Sequence, residues 1–255
     1  MKASSEEIRQ PLTEHLEELR ARLIRSLIAF VIGTGICYNY SDRIYQKLIN
    51  PVIQVLPSGS HLVFTELTEA FLTYFKLSLW GGFLFASPVI FYQAWRFISP
   101  GLYQKERKLV AVFAFWSTLG FATGTAFAYF IAIPSIMRFF FSFGQAIVTP
   151  MPSMKEAISL VLQLLLIFGV MFELPLFLYL VGRGRILSAK TLRKWRKAAV
   201  LGSVILAAVL TPPEIVSQLI LAVPLYVLYE LGILLCALGE RRSKAALAAS
   251  HALSP

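Results

Sequence analysis

From Ala111 to Ile133 the chain runs for 23 residues without a charge. A helix rising about 1.5 Å per residue needs roughly 20 apolar residues to cross a hydrocarbon core about 30 Å thick. The same form recurs in Leu77–Trp95, with 19 uncharged residues, and in Ala157–Gly182, with 26 residues and a single acid, Glu173. Ser26–Tyr40 reaches spanning length when Leu23 and Ile24 join it and Arg25 snorkels to the interface. Ala198–Leu210 and Ile215–Tyr229 hold 13 and 15 residues, too few for an ordinary crossing. Of the 255 residues 57% are hydrophobic and only 15% charged. Soluble domains carry about a quarter charged residues, so the composition is that of a membrane protein.

The basic residues set the topology. Five of the 24 Lys and Arg lie at or before Arg25, four in Arg96–Lys108, seven in Arg183–Lys197 and three in Arg241–Lys244. Rich segments alternate with poor ones, and short loops rich in Lys and Arg stay cytoplasmic. Both termini are therefore expected in the cytoplasm, which needs an even number of crossings. The chain reads as an all-α integral membrane protein with six transmembrane helices, at about 23–40, 71–95, 109–133, 157–182, 198–211 and 215–232. The fifth and sixth are short and form a hairpin around Thr211-Pro212-Pro213-Glu214. A re-entrant hairpin in their place also leaves the termini on one side, so charge does not separate the two. The membrane domain covers 1–240, and the tail 241–255 is expected to be cytoplasmic and disordered. The net charge of +10 follows from this asymmetry and needs no nucleic-acid partner.

Several chemistries find no support. Cys37 and Cys236 sit in apolar runs without metal-ligand or CxxC spacing. His15, His61 and His251 all lie outside the spans, and no span holds an HExxH or a Ser/His or Cys/His pair. No GxxxxGK[ST] loop is present. An enzyme is not expected, nor a cofactor or a metal. The first apolar run follows more than 20 residues of charged sequence, which is not the form of a cleavable signal peptide.

The polar segments carry more. In PLTEHLEELRARLIRSL, Leu12, Leu16, Leu19 and Leu23 fall on one helical stripe and Glu14, Glu17 and Glu18 on another. This predicts an amphipathic cytoplasmic entry helix over 10–22, with Pro11 in its first turn. Its acids read either as a solvated face, with pairs such as Glu18–Arg22, or as an acidic patch for a cationic partner on a basic surface. In WRFISPGLYQKERKLV, Pro100-Gly101 marks a bend and Glu106 stands alone among Lys105, Arg107 and Lys108. Phe97 and Tyr103 expose aromatic area there, as a docking surface does. The long outer loops, Ser41–Ala70 and Pro134–Glu156, have room for short helices in the first and are expected to form one lid. Glu173 interrupts LIFGVMFELPLFLYL, and an acid at membrane depth is neutral, paired or wetted. It reads as a cation site or as a hydrogen-bonding group toward Gln163, Gln218 or a partner helix. Pro175 would loosen the helix beside it.

Four motifs in order, HLEELRARL, FISPGLYQKERK, FGVMFELP and LTPPEIVSQ, resemble TatC, the multispanning subunit of the twin-arginine protein translocase. The likeness runs from about Pro11 to Glu240. It implies a glove-like, concave bundle and a receptor for twin-arginine signal peptides of folded cargo. Glu18 and Glu106 match the acids that receive the paired arginines, with Arg20, Phe97, Pro100, Tyr103 and Arg107 around them. Pro51 matches a functionally sensitive proline of the first outer loop. Glu173 matches the acid on the concave face, and Thr211 and Gln218 match polar positions that dock the single-span partners TatA and TatB. Glu214 stands where the family often has Asp.

The resemblance also implies a bacterial cytoplasmic (inner) membrane location, self-association in a larger complex, and export driven by the proton gradient. A guanidinium pair binds two carboxylates bidentately, which favours Arg over Lys. Short fifth and sixth helices would thin the bilayer locally. The rival expectation is a proton-coupled small-molecule transporter that uses Glu173.

Overall fold

The structure is a computed structural model that describes residues 3–57, 59–63, 66–102, 107–142, 151–184, 186–210 and 215–252. Every regular element among the described residues is a helix, joined by short turns and loops, with one isolated parallel bridge, Val63 to Ser153. In chain order the helices are α1 (Ala3–Asn39), α2 (Ser41–Ile53), α3 (Glu69–Leu102), α4 (Arg107–Phe127), a π-helical turn (Ala128–Ala132), α5 (Ile133–Ser142), α6 (Met154–Met171), α7 (Leu174–Arg183), α8 (Ala189–Lys194), α9 (Arg196–Leu210) and α10 (Ile215–Ala252). Five stretches are long and apolar enough to cross a membrane: His15–Asn39, Glu69–Ile98, Val110–Ser142, Met154–Arg183 and Gln218–Arg241. α9 has only 15 residues, about 22 Å of helix. Large apolar side chains such as Val31, Phe85, Phe115, Val209 and Val223 are exposed, which in a chain of this composition is the face offered to lipid.

The chain forms two compact units. The first comprises Met1–Tyr45 and Tyr74–Leu119. Within it α1 and α3 approach closely at Gly33 and Gly82. A Cβ on Gly33 would sit 2.8 Å from the Gly82 carbonyl oxygen, so only small residues permit this crossing. Trp95 donates its indole N–H to Ser117 Oγ at 2.8 Å, tying α3 to α4.

The second unit comprises Gln46–Thr73 and Gly120–Pro255. Its buried centre includes Leu178, Ala189, Leu192, Ile233 and Cys236, drawn from α7, α8 and α10. The short α9 is fastened to α10 twice. Gln218 Nε2 donates to the Val204 carbonyl at 3.0 Å, and Arg196 Nη2 donates to Glu230 Oε2 at 2.7 Å. The second contact holds the Arg196 guanidinium above its ordinary pKa.

Three backbone irregularities differ from what the apolar runs suggested. Pro134 was expected to end the third span and open a loop. Instead a π-helical turn carries the chain past it, with Ile133 N–H bonding to the Ala128 carbonyl, and helix continues to Ser142. A π turn takes up the residue that a proline cannot seat in an α ladder. The fourth apolar run is two helices, broken at Phe172–Glu173. Pro175 sits in the first turn of α7 and has no N–H for the Met171 carbonyl, so α6 stops there. Last, α10 runs on as helix to Ala252, through a tail expected to be disordered.

The two long loops meet, as expected of a common lid. Val63 N–H bonds to the Pro152 carbonyl at 3.2 Å, and Met154 N–H to the Val63 carbonyl at 2.8 Å. Glu69, fully buried at the start of α3, completes the latch. Its Oε1 accepts from Ser153 Oγ at 2.7 Å and from Lys155 N–H at 2.6 Å. Ser153 is the N-cap of α6, so a carboxylate covers the free amides of a helix start.

The first loop contains α2, which buries Ile49, Pro51 and Val52. Pro51 cannot donate to the carbonyl of Lys47, four residues earlier. The Tyr129 hydroxyl, from the π-helical turn, donates to that carbonyl at 2.6 Å. One irregular element thus satisfies the group that another leaves open.

Two measurements check these couplings. Glu69→Ala should lower stability in detergent by about 1.5–3 kcal/mol, the range for a hydrogen bond to a charged group, and Glu69→Gln by less; an unchanged unfolding midpoint would remove the latch. Tyr129→Phe should cost about 1 kcal/mol. The same change in a Pro51→Ala background should cost almost nothing, because the new amide serves Lys47. Equal costs in both backgrounds would contradict the pairing.

Candidate functional site

The first group of side chains lies in the first unit, where the entry segment of α1 runs beside the end of α3. Glu18 lies one turn before Arg22 on α1, and Arg22 donates to Glu18 Oε1 from Nε at 3.1 Å and from Nη2. Arg22 is buried, and its Nη1 has no hydrogen-bond partner among the described residues. Glu18 Oε2 faces His15 Nδ1 at 4.0 Å, and the side chain stays more than a third exposed. The His15 ring stacks on Phe97 of α3, with centroids 4.4 Å apart and planes 15° from parallel. Glu18 and Phe97, called from separate motifs, are therefore joined through His15. The i,i+4 pair Glu18–Arg22 that the spacing allowed is formed. It leaves one carboxylate oxygen turned outward, beside an aromatic ring and a histidine.

Arg20 is exposed on the same helix. Pro100 and Arg107 lie within α3 and α4, but their side chains are outside the described residues, as are Tyr103 and Glu106 altogether. The pairing of Glu18 with Glu106 stands on the sequence alone.

The second group is in the second unit. Glu173 occupies the break between α6 and α7 with helical backbone angles. Its N–H bonds to the Val170 carbonyl at 3.0 Å, and its carbonyl accepts from Phe177 N–H at 2.9 Å. The side chain is half-buried. A Cβ placed on Gly120 would stand 3.1 Å from Glu173 Oε1, and one on Gly124 would overlap the Phe168 carbonyl. These two glycines, four apart on α4, let the broken helix approach and give the carboxylate its space. Of the partners considered for Glu173, Gln163 is exposed and Gln218 donates from Nε2 to the Val204 carbonyl. Thr211 lies outside the described residues.

Pro51, the third position, is a buried residue whose missing N–H hands the Lys47 carbonyl to Tyr129. The sequence reading missed Tyr129, His15 and Glu69. Ser153 and Glu156 form an S-x-x-E spacing that marks a helix start; it pointed to the α6 N-terminus but not to the distant acid that covers it. Nothing local marked Tyr129, whose partner Lys47 is 82 residues away, or the stacking of His15 on Phe97 of another helix.

Comparison with known proteins identifies the family. The profile of the family described as "Sec-independent protein translocase protein (TatC)" matches residues 14–224. The chain is 44% identical over 231 residues to a protein of that name from Desulforapulum autotrophicum, covering 91% of this chain and 86% of the relative. It is 39% identical to one from Aquifex aeolicus, over 92% of this chain and 98% of the relative. A crystal structure titled "Twin Arginine Translocase Receptor- TatC" superposes with a TM-score of 0.80 at 37% identity, covering 88% of this chain and 99% of that one. The chain belongs to the TatC family of Sec-independent protein translocase proteins, multi-pass membrane components of protein transport rather than enzymes.

Proposed function

We propose that this chain is the signal-peptide receptor of a twin-arginine translocase in a bacterial inner membrane. In this reading both termini are cytoplasmic and the domain is a single six-span membrane unit, with α9 as a short fifth crossing in a concave, glove-like bundle. The observation that carries it is the Glu18 carboxylate, held by Arg22 on one oxygen and, on the other, open but for His15 at 4.0 Å, with His15 stacked on Phe97.

A folded cargo's signal peptide brings two planar, permanently charged guanidinium groups. The open oxygen of Glu18 takes one of them and Glu106 the other, while Arg20, Pro100, Tyr103 and Arg107 border the site. Arg22 pre-sets the Glu18 rotamer, so less side-chain freedom is lost on binding. The stacked His15 and Phe97 rings beside it offer a flat aromatic surface, which suits the planar guanidinium of Arg better than the compact ammonium of Lys.

The apolar part of the peptide then lies along the membrane face that includes Glu173. There the interrupted helix and the glycines of α4 give a carboxylate room at membrane depth. Glu173, Thr211 and Gln218 serve contacts with TatA- and TatB-like single-span partners, and further copies of the chain join the complex. The proton gradient supplies the energy.

Replacing Glu18 and Glu106 together with Ala should weaken photo-crosslinking of a twin-arginine peptide by at least roughly a hundredfold, two charge-assisted contacts being lost. The protein should still purify as a folded species; undiminished crosslinking would reject the two acids as the site. For Glu173, substitution by Gln should leave export intact if the group serves as a neutral hydrogen-bonding contact, and Glu173→Leu should reduce it. Export lost with Gln would show that an ionised carboxylate is needed instead.

A further inference from the structure

The pairing of α2 with the π-helical turn encloses more than a hydrogen bond. Beside it, in the second unit, lies a cavity of about 250 Å³ lined by Asn50, Pro51, Gln54, Tyr129, Phe130 and Arg138, among others. We propose that this cavity binds the phosphodiester headgroup of an anionic phospholipid.

Its position is the first argument. Arg138 is one helical turn from Ser142, where the apolar stretch Val110–Ser142 ends. α2 begins two residues after the first spanning stretch ends at Asn39. The first and third crossings of a threaded chain finish on the same membrane face, so both walls of the cavity stand at one membrane–water boundary. Headgroup phosphates lie at that depth.

The lining is the second argument. Arg138 is exposed and forms no ion pair among the described residues. A guanidinium presents a planar fork matched to phosphate oxygens. Asn50 and Gln54, one turn apart at the end of α2, add amide donors on the opposite wall. Among the described residues no lining residue is acidic, so none of them competes for the cation or receives the ammonium of a zwitterionic headgroup. A headgroup whose phosphodiester charge is not offset by an ammonium therefore fits better than phosphatidylethanolamine.

The apolar side is the third. Phe130 borders the cavity with 72% of its surface exposed. An aromatic ring at the interface packs against the upper acyl chain. A free phosphate ion would leave that surface bare. Pro51 takes part twice, since it frees the Lys47 carbonyl that anchors Tyr129 and forms part of the wall.

The test uses delipidated full-length protein in detergent, offered equal amounts of phosphatidylglycerol and phosphatidylethanolamine, with retained lipid counted by native mass spectrometry. Phosphatidylglycerol should be retained in preference. Arg138→Gln should cut its retention roughly tenfold, the scale of one charge-assisted contact. Arg138→Lys, which keeps the charge and loses the fork, and Gln54→Leu should each give a smaller loss, and these two carry the comparison should Arg138→Gln fail to fold. Millimolar glycerol phosphate should not displace the lipid. Equal retention of the two lipids, or of phosphatidylglycerol by wild type and all three variants, would overturn the proposal. Full displacement by soluble glycerol phosphate would assign the cavity to a free anion and overturn the lipid assignment.

Discussion

A backbone carbonyl or amide in hydrocarbon has no water to turn to, so each one must find a partner within the protein. That constraint governs where this chain departs from regular helix. Pro51 withholds an amide from Lys47, and Tyr129 supplies a hydroxyl in its place. Pro134 is passed by a π-helical turn that keeps the ladder closed. Pro175 breaks the fourth apolar stretch, and the break is where Glu173 sits. At Pro51 and Pro175 a proline opens the ladder, and a polar side chain, Tyr129 or Glu173, stands at the opening. Glu69, at the start of α3, obeys the same rule from the other direction, as a buried carboxylate that accepts from the Ser153 hydroxyl and the Lys155 amide at the start of α6.

These departures are also where the proposed sites concentrate. A continuous helix packed on both faces offers neither a carboxylate with space around it nor a cavity. The glycine pair on α4 and the break before α7 give Glu173 its space. The joint between α2 and the π-helical turn shapes the cavity containing Arg138. The proposed receptor surface differs, being built on regular helix. There Arg22 sets the Glu18 carboxylate by i,i+4 geometry, and His15 bridges it to Phe97.

Much of this was legible in the sequence because hydrophobic length and charge asymmetry are local signals. The long runs marked the helices, the four ordered motifs marked the family, and Glu18–Arg22 could be read from spacing. The missed features depend on distant partners. Pro134 reads as a helix end under every local rule, and only the π-helical turn before it explains why helix continues. The break at Glu173 was half legible, since Pro175 announced it without fixing its register. Pro51 could be named by resemblance, but its physical role required Tyr129. The proposed fifth crossing is the least legible element: at 15 residues α9 is shorter than a bilayer core, and its ties to α10 hold it as packed helix.

The receptor proposal stands on which side of the membrane the Glu18 surface faces. A membrane-impermeant maleimide applied to intact cells carrying His61→Cys, and separately Gln104→Cys, reads this directly. The account predicts that the cysteine at 61 is labelled in intact cells and the one at 104 only after the membrane is opened. Labelling at 104 in intact cells would place the proposed receptor surface outside and contradict it.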